Sequence, residues 1–512
     1  MAPNAAGEHP GEHQIIGVIG AGAMGRGIAQ VSAQGGMNVL LYDAASGAAQ
    51  KGRDYILGMI DRSVERGRMT PEAAAAAKGR IQVAAAIADL APAALVVEAV
   101  IEDLEIKRQV FRAVEEVVAR DAIIASNTSS IRIASIAAAC RHKERIAGLH
   151  FFNPVPLMPL VEIVRAPATA DETVRSLDAL GKRMGRVPVV VQDSPGFLVN
   201  LGGRSYTTEA LRIFSEGVAS PAQVDAVMRD ACGFRMGPFE LMDLTGIDVN
   251  YPVSQIIFNG YYQDRRLATQ PAHQAMMESG RLGRKTRIGW FTYDEQGTTL
   301  GPAAAGAEAD MKPDDAPAPR VVLAGEDSRL ARLFQDAGCE IAAADDGTSP
   351  IVAAPLGEDC TSLAVRLGLD ARRLVAVDLT GNIARRVTLM AAPGAAATAV
   401  AAVAARLLKT GAAVTGIKDS PGFIAQRMRG MIANLGCEMA QIGIASPADI
   451  DTAMKLGLNY PQGPLEMTEL MGTRATFDIM SRLHEITGDD RYRPSLWLRR
   501  RALLALPINT PD

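Results

Sequence analysis

The sequence predicts an α/β protein that begins with a Rossmann-type doubly wound sheet and a helical domain. A degenerate Rossmann-like domain and a second helical domain follow. Short β-branched runs alternate with helical segments up to about residue 190, which is typical of a parallel sheet covered on both faces. The sequence after Pro195 has a helical pattern to about residue 280. One eight-residue phrase then recurs, as D-S-P-G-F-L-V-N at 193–200 and D-S-P-G-F-I-A-Q at 419–426.

The two copies of this phrase are about 226 positions apart. Each is followed by a helical pattern, by S-P-A, and by a Gly-Pro-x-Glu segment that begins at Gly237 or Gly463. Chance similarity of two turn-then-helix starts is the alternative, and the matching distance of the last segment argues against it. The first copy ends in Asn200 and the second in Gln426, which indicates a duplicated unit with its chemistry in the first half.

Length and composition exclude several classes of protein. A chain of 512 residues exceeds a single core, so several domains are expected. The net charge of −4 gives no electrostatic footprint for nucleic acid, and no apolar run approaches the ~20 residues of a membrane span. Five cysteines without CxxC or metal-ligand spacing predict reduced thiols, no metal and a cytoplasmic location.

The strands follow from short apolar runs that end at glycine, proline or acidic residues. In the first half they are predicted at 14–19, 38–42, 81–83, 94–98, 122–126, 146–151, 160–164 and 187–191. Helices are predicted up to Gln34, through 78, and at 102–119. In the second half strands are predicted at 320–325, 340–344, 351–354 and 374–378, with helices after Pro421.

The order of these elements predicts the domain boundaries. Residues 301–319 are low in complexity and rich in proline and alanine, which is typical of a linker. The expected divisions are a disordered tail at 1–13, an α/β domain at 14–192, a helical domain at 193–295, a linker at 296–319, an α/β-like domain at 320–412 and a second helical domain at 413–512.

A dinucleotide fingerprint opens the first domain and predicts a Rossmann-type fold. Gly20-x-Gly22-x-x-Gly25 follows a strand and begins a helix, so the turn can bring backbone N–H groups and the helix N-terminus to a pyrophosphate. Asp43 ends the next strand and can accept both ribose hydroxyls of NAD, whereas it would repel the 2′-phosphate of NADP. FAD shares the fingerprint and remains an alternative. The predicted cofactor contacts of the loop are Gly20, Gly22, Ala23, Met24 and Gly25.

One histidine stands where catalysis is expected. Of six histidines, only His150 ends an apolar strand, at the sheet edge where ligands bind. His273 and His484 lie in segments whose sequence is typical of helical surfaces. Imidazole suits proton exchange with a hydroxyl. Glu162, at the centre of the following strand, is costly unless it is paired, and pairing with His150 would fix the tautomer. A structural histidine and a solvent-facing glutamate are the alternatives.

Here the chain resembles the 3-hydroxyacyl-CoA dehydrogenase family over residues 14–293. The resemblance is carried by G-A-G-A-M-G-R-G-I-A-Q (20–30), V-V-E-A-V-I-E-D-L-E-I-K (96–107), S-N-T-S-S (126–130), H-F-F-N-P-V (150–155), D-S-P-G-F-L-V-N (193–200), G-P-F-E-L-M-D (237–243) and G-R-K-T-R-I-G-W-F-T-Y (283–293).

The resemblance implies NAD-dependent oxidation of (3S)-3-hydroxyacyl-CoA to 3-oxoacyl-CoA, and the reverse, with His150 as the base and Glu162 as its partner. Asn200 and Ser129 would bind the reacting oxygen, although Ser129 could also be a helix N-cap. The other implied contacts are Glu102, Lys107 and Asn127 with the cofactor and Asn153 with the substrate.

The resemblance leaves the acyl group and the assembly open. Arg62 and Arg66, one helical turn apart, could meet a CoA phosphate or form a solvated face. A substrate such as 3-hydroxyadipyl-CoA, rather than 3-hydroxybutyryl-CoA, would want a cation at the channel end, for which the candidates are Arg204, Arg235 and Arg474. The length resembles a long form of the family, in which the second helical copy packs as a partner subunit would. A monomer or a homodimer through the helical domains is expected.

Three competing hypotheses remain. A dehydrogenase of free β-hydroxyacids would generally use a lysine, and the pairing of His150 with Glu162 argues against it. A nucleotide-binding sensor that has lost turnover has no need of such a pair. A fusion with a hydratase is disfavoured because residues 413–512 repeat the helical domain.

Overall fold

The computed structural model describes residues 14–303, 310–312 and 320–512. The predicted tail and most of the predicted linker lie outside these residues. The chain forms two compact units. The first runs to Val199 and includes Gly443–Gly457, and the second comprises Asn200–Ile442 and Leu458–Asp512. The finer domain boundaries given above stay a prediction.

The first unit contains an eight-stranded sheet in the order β3-β2-β1-β4-β5-β6-β7-β8. The strand order reverses at β1 and β4, which is the point where an open α/β sheet forms its ligand crevice. The elements are β1 (Ile15–Ile19), α1 (Ala23–Gln34), β2 (Asn38–Tyr42), α2 (Ala48–Glu65), α3 (Pro71–Gly79), β3 (Ile81–Val83), β4 (Leu95–Glu98), α4 (Leu104–Glu115), β5 (Ile123–Ser126), α5 (Ile133–Ala137), β6 (Ile146–Phe151), β7 (Leu160–Arg165), α6 (Asp171–Arg183) and β8 (Val187–Gln192).

The predicted parallel arrangement is confirmed for the first six strands and is wrong for the last two. β7 pairs antiparallel to β6, and β8 runs parallel to β7. No helix separates β6 from β7, so the chain returns through a short loop, as only antiparallel neighbours allow. This reversal places β7 residue by residue opposite β6.

The helical segment of the second unit begins with a long buried helix. A small hairpin closes this segment, and its second strand takes up the first residues of the predicted linker. The elements are α7 (Val199–Ser215), α8 (Pro221–Asp230), α9 (Pro238–Thr245), α10 (Ile247–Gly260), α11 (Pro271–Glu278), β9 (Phe291–Tyr293) and β10 (Thr299–Pro302).

A second sheet of six strands follows in the order β12-β11-β13-β14-β15-β16. Alternate residues of β14 belong to two separate apolar clusters, so this sheet is covered on both faces. The strands β15 and β16 were not predicted. The elements are β11 (Arg320–Leu323), α12 (Ser328–Asp336), β12 (Glu340–Ile341), β13 (Ile351–Ala353), α13 (Cys360–Leu367), β14 (Leu374–Asp378), β15 (Arg386–Ala391), α14 (Ala397–Leu408) and β16 (Ala413–Lys418).

The chain ends in a second set of helices, as predicted. They are α15 (Ala425–Gln441), α16 (Pro447–Leu458), α17 (Pro464–Met471), α18 (Thr473–Thr487) and α19 (Leu496–Leu504). Among the described residues, no helix combines the length and the hydropathy that a bilayer crossing requires.

Candidate active site

His150 and Glu162 form a buried pair at the end of the first sheet. They are directly opposite each other in the register of β6 and β7, and His150 Nδ1 lies 2.6 Å from Glu162 Oε2. The exposed fraction is 5% for the histidine and 0% for the glutamate. Because carboxylate oxygens accept hydrogen bonds, this contact orients the ring with its Nδ1–H toward Glu162 and its Nε2 away from it.

The backbone at the start of α7 holds the second oxygen of Glu162. The N–H groups of Leu198 and Val199 donate to Oε1 at 3.1 and 2.8 Å. These bonds offset the cost of burying the carboxylate. The rings of Phe152 and Phe197 stand 4.5 and 5.8 Å from the imidazole, so the histidine sits against apolar walls.

The glycine loop between β1 and α1 fits a pyrophosphate. A Cβ at Gly25 would lie 1.8 Å from the carbonyl oxygen of Gly20, whereas a Cβ at Gly22 would meet no atom within 4 Å. The loop is therefore closed on the protein side and open where a phosphate would approach. No side chain caps the N-terminus of α1, so its N–H groups are available to an anion.

Asp43 stands at the end of β2, as the fingerprint predicts. Its carboxylate accepts hydrogen bonds from the N–H of Ala21 at 2.7 Å and of Ala45 at 2.9 Å. Each oxygen keeps a further lone pair, so the carboxylate can accept ribose hydroxyls while it braces the loop. The residues present therefore fit NAD.

Glu102 links several of the predicted site residues. Its Oε1 accepts hydrogen bonds from Thr128 Oγ1 at 2.6 Å and from the N–H of Ser129 at 3.1 Å, and its Oε2 lies 3.3 Å from Lys107 Nζ. Burial alone would raise the pKa of Glu102, but the hydrogen bond from Thr128 and the charge of Lys107 outweigh burial and lower that pKa.

Lys107 is buried in an ion pair that the sequence analysis missed. Its side chain is 1% exposed, and its Nζ lies 2.7 Å from Glu98 Oε1. Glu98 also accepts a hydrogen bond from Ser126 at the end of β5. The signal was present in the sequence, because Glu98 ends a strand in the same phrase as Lys107. Lys107 thus contacts both Glu98 and Glu102 and helps to hold the Glu102 carboxylate in place.

The alternative role of Ser129 as a helix cap is wrong. Helix α5 begins only at Ile133, and the Asp193 carboxylate accepts from the N–H groups of Ile133 and Ala134 at 2.9 and 2.7 Å. Ser129 instead lies half-buried in the loop that Glu102 organises.

A cavity of about 260 Å³ lies beside the glycine loop. Four arginines line it. Arg62 and Arg66 were predicted to contact the substrate, whereas Arg26, which follows the last fingerprint glycine, was not predicted. The guanidinium of Arg26 lies 4.2 Å from the ring centre of Tyr55. The charged and polar lining residues are Arg26, Gln30, Arg62, Ser63, Arg66, Arg68 and Asn153, and Ala23 also lines the cavity.

The remaining predicted residues are placed as follows. Asn127 accepts a hydrogen bond from the N–H of Phe151 at 2.9 Å and so ties the loop after β5 to the end of β6. Met24 lies in the first turn of α1, and Asn200 is the second residue of α7. His273 is fully buried in α11, so its predicted surface position is wrong.

The second half keeps the frame of this site but not its chemistry. In the strand register, Asp378 of β14 lies opposite Thr388 of β15, and Thr388 lies opposite Thr415 of β16. In the register of the first sheet, His150 lies opposite Glu162, and Glu162 lies opposite Val189. Because Asp419 matches Asp193 in the repeat, Asp378 and Thr388 occupy the places of His150 and Glu162.

The third position differs too. Gln426, which replaces Asn200, donates to Asp378 Oδ1 at 3.1 Å and accepts from the N–H of Gly357 at 2.8 Å. The acid that echoes Asp43 is also engaged, since Asp345 is paired with Arg373 at 2.8 Å. The second half thus lacks both the base and the open acid of the first.

The sheet, the glycine loop and Asp43 define the class: the chain is an NAD-dependent oxidoreductase. Residues 15–194 match the family model for the 3-hydroxyacyl-CoA dehydrogenase NAD-binding domain. Residues 196–293 and 422–505 match the C-terminal domain of the same family.

Known proteins match either nearly the whole chain or about half of it. The sequence is 38% identical to the 3-hydroxyadipyl-CoA dehydrogenase of Escherichia coli K12, over 96% of this chain and 98% of that protein. It is 39% identical to the 3-hydroxybutyryl-CoA dehydrogenase of Bradyrhizobium diazoefficiens, over 54% of this chain and 94% of the relative. A crystal structure of a 3-hydroxybutyryl-CoA dehydrogenase from E. coli K12 superposes with a TM-score of 0.84 at 37% identity, over 96% of this chain and 98% of that one.

The chain belongs to the 3-hydroxyacyl-CoA dehydrogenase family. It is an NAD-dependent enzyme that interconverts 3-hydroxyacyl-CoA and 3-oxoacyl-CoA.

Proposed function

We propose that His150 is the general acid/base of this reaction and that Glu162 is its positioning residue. Bound NAD⁺ supplies the acceptor for the hydride that leaves C3 of the 3-hydroxyacyl group. During oxidation Nε2 of His150 takes the proton of the 3-hydroxyl, and during reduction it returns a proton to the carbonyl oxygen. The supporting observation is the 2.6 Å contact between His150 Nδ1 and Glu162 Oε2, which orients the ring and stabilises the imidazolium.

Neutral donors are proposed to hold the reacting oxygen. Asn200 and Ser129 can donate to that oxygen as an alcohol, an alkoxide or a carbonyl without favouring one state by full charge. Glu102, held between Thr128 and Lys107, is proposed to fix the loop of Ser129 beside the nicotinamide end of the cofactor. Asn127 fixes the end of β6 through Phe151.

The arginine-lined cavity is proposed to receive the phosphates of CoA. Arg62, Arg66 and Asn153 all line it, so a CoA bound there would contact both the end of α2 and the loop after β6. Guanidinium groups suit this task because they donate bidentate hydrogen bonds to phosphate oxygens.

The oligomeric state and the cellular location are also proposed. A monomer is proposed over a homodimer because the chain already contains two helical copies, and mass determination in solution tests it. A reducing, cytoplasmic environment is proposed because the described cysteines are free.

The experiment that tests the catalytic pair is NADH oxidation with acetoacetyl-CoA by the wild type and by His150→Gln and Glu162→Gln. We expect kcat to fall by roughly a hundredfold or more for His150→Gln, as loss of a general acid/base predicts. For Glu162→Gln we expect a smaller loss in kcat with a displaced pH profile, because the imidazolium loses its anionic partner.

His142→Gln is the matched control, because its side chain is partly exposed and only its long contact with Glu144 is lost. Equal NADH affinity in all four proteins, by fluorescence titration, would assign the losses to chemistry. Wild-type rates in His150→Gln would refute the proposed base.

A further inference from the structure

Arg204 is a buried cation without an anionic partner. Its exposed fraction is 8%, and among the described residues no carboxylate lies within ion-pair distance of it. Arg235 and Arg474, the other two cations considered for the acyl end, are exposed. An unpaired buried charge is costly, so its retention calls for an explanation.

The guanidinium is held by neutral acceptors only. Its Nε donates to the carbonyl oxygen of Asn200 at 3.0 Å, and its Nη1 donates to Ser254 Oγ at 2.7 Å and to the Asn250 carbonyl at 3.4 Å. Within the described chain Nη2 makes no hydrogen bond of its own. Two N–H groups are thus left for another acceptor.

The side chain points toward Asn200. Residues four apart share a helix face, with their Cβ atoms about 5–6 Å apart, and helical side chains lean toward the N-terminus. The bond from Nε to the Asn200 carbonyl shows that Arg204 does so. The guanidinium therefore lies beside the helical turn that carries Asn200.

A second buried donor lies near this cation. The hydroxyl of Tyr460 is buried without a hydrogen-bond partner in the described structure, and Tyr460 and Arg204 are close enough to interact electrostatically. The hydroxyl of the neighbouring Tyr206, whose ring is tilted against that of Tyr460 with centroids 5.7 Å apart, by contrast donates to the Met236 carbonyl at 2.7 Å. An anion between Arg204 and Tyr460 would satisfy both donors.

Tyr460 comes from the second helical copy. In the repeat it matches Phe234, and the two rings touch with centroids 5.1 Å apart. The surroundings of Arg204 thus include a residue of the second copy.

We propose that Arg204 and Tyr460 bind a carboxylate at the far end of the acyl chain, so that this enzyme acts on CoA thioesters of dicarboxylic acids. The inference rests on the proposed contact of Asn200 with the oxygen at C3. Three carbon–carbon bonds of about 1.5 Å each separate C3 from the terminal carboxylate of a 3-oxoadipyl group. This span agrees with one helical turn between Asn200 and Arg204.

The test compares two substrates of equal chain length, 3-oxoadipyl-CoA and 3-oxohexanoyl-CoA, which differ in a terminal carboxylate or methyl group. We expect the wild type to prefer the carboxylate by at least about tenfold in kcat/KM. Arg204→Met should lose about 10- to 100-fold on 3-oxoadipyl-CoA, as loss of a charge-assisted bond predicts, and little on 3-oxohexanoyl-CoA. Tyr460→Phe, which removes only a hydroxyl, should lose about 3- to 10-fold on the carboxylate alone.

Arg474→Met is the matched control, since its side chain is exposed and paired within its own helix, and it should keep the wild-type preference. Equal losses on both substrates, or a wild type without preference, would overturn the inference and leave the proposed catalytic pair intact. Failure of the wild type on acetoacetyl-CoA as well would overturn both. If Arg204→Met does not fold, Arg204→Lys and Tyr460→Phe carry the same comparison.

Discussion

His273 is held neutral inside a cluster of polar side chains. Its Nε2 lies 2.5 Å from Asn250 Oδ1, and its Nδ1 lies 2.9 Å from Thr269 Oγ1. Burial, helped by the charge of Arg204, lowers the pKa of His273 to about 4 from an ordinary 6.5. A neutral imidazole at this place leaves the positive charge of Arg204 as the single charge of the cluster.

This lowered pKa predicts a pH-dependent stability. Between pH 6.5 and 4 the unfolded chain binds a proton that the native His273 excludes, so stability is full above pH 6.5 and falls as the pH drops. The loss is about 3 kcal/mol at pH 4. Urea unfolding at several pH values should show a shallower loss for His273→Gln than for the wild type.

His142→Gln serves as the comparison, since this side chain is partly exposed in a surface turn. Identical pH slopes for the wild type and His273→Gln would show that His273 is not the group responsible.

Helix α2 carries basic residues to the cavity beside the glycine loop. It ends at Glu65, and Arg62 and Arg66 lie one turn apart at its end. Cations at a helix C-terminus are favoured by the helix dipole, so the pair is compatible with the helix even without a ligand. Both side chains are exposed, so a bound phosphate would be screened by solvent and contribute modestly per arginine.

The double variant Arg62→Gln/Arg66→Gln should raise the KM for acetoacetyl-CoA about tenfold, equivalent to about 1.4 kcal/mol, with kcat and the KM for NADH nearly unchanged. The effect should shrink with added salt. Steady-state kinetics at two ionic strengths measure it.

Lys51→Gln, an exposed change on the same helix away from the cavity lining, controls for net charge. An equal rise in KM for Lys51→Gln would point to general electrostatic attraction instead of a phosphate site.

Within the second unit, buried ion pairs join the two helical copies. Glu209 of α7 is fully buried, and its oxygens accept hydrogen bonds from Arg427 Nε at 2.9 Å and from Arg491 Nε at 2.8 Å. Arg427 belongs to α15, the counterpart of α7 in the repeat. The Tyr492 hydroxyl donates to the same carboxylate at 2.9 Å. One carboxylate therefore links helices that are more than 200 residues apart in sequence.

Glu209→Gln should lower the free energy of unfolding by about 3–5 kcal/mol, because it leaves the buried guanidinium of Arg491 without an anion and leaves Arg427 with only the partly exposed Glu216. Glu172→Gln, which breaks an exposed pair with Arg175, should cost less than about 1 kcal/mol. Chemical denaturation of both variants measures the difference. A loss for Glu209→Gln no larger than for Glu172→Gln would contradict a structural role for this network.

Local patterns were enough to predict the strands of the first sheet, the glycine loop, Asp43 and the partnership of His150 with Glu162. Each depends on neighbours in sequence: a strand that ends in glycines, an acid at a strand end, a carboxylate that cannot be buried alone. The repeat likewise predicted the second set of helices and the replacement of Asn200 by Gln426. These features are encoded within a few residues of where they act.

Other features depend on residues that are distant in sequence. The antiparallel return of β7, the ion pair of Glu98 with Lys107, the burial of His273 and the selection of Arg204 over Arg235 and Arg474 were set by packing. Arginines on predicted helices look alike in sequence, because burial and the absence of a partner carboxylate are properties of the surroundings. Only the folded chain brings Arg204 within electrostatic range of Tyr460, 256 residues later, and leaves both donors without an anion.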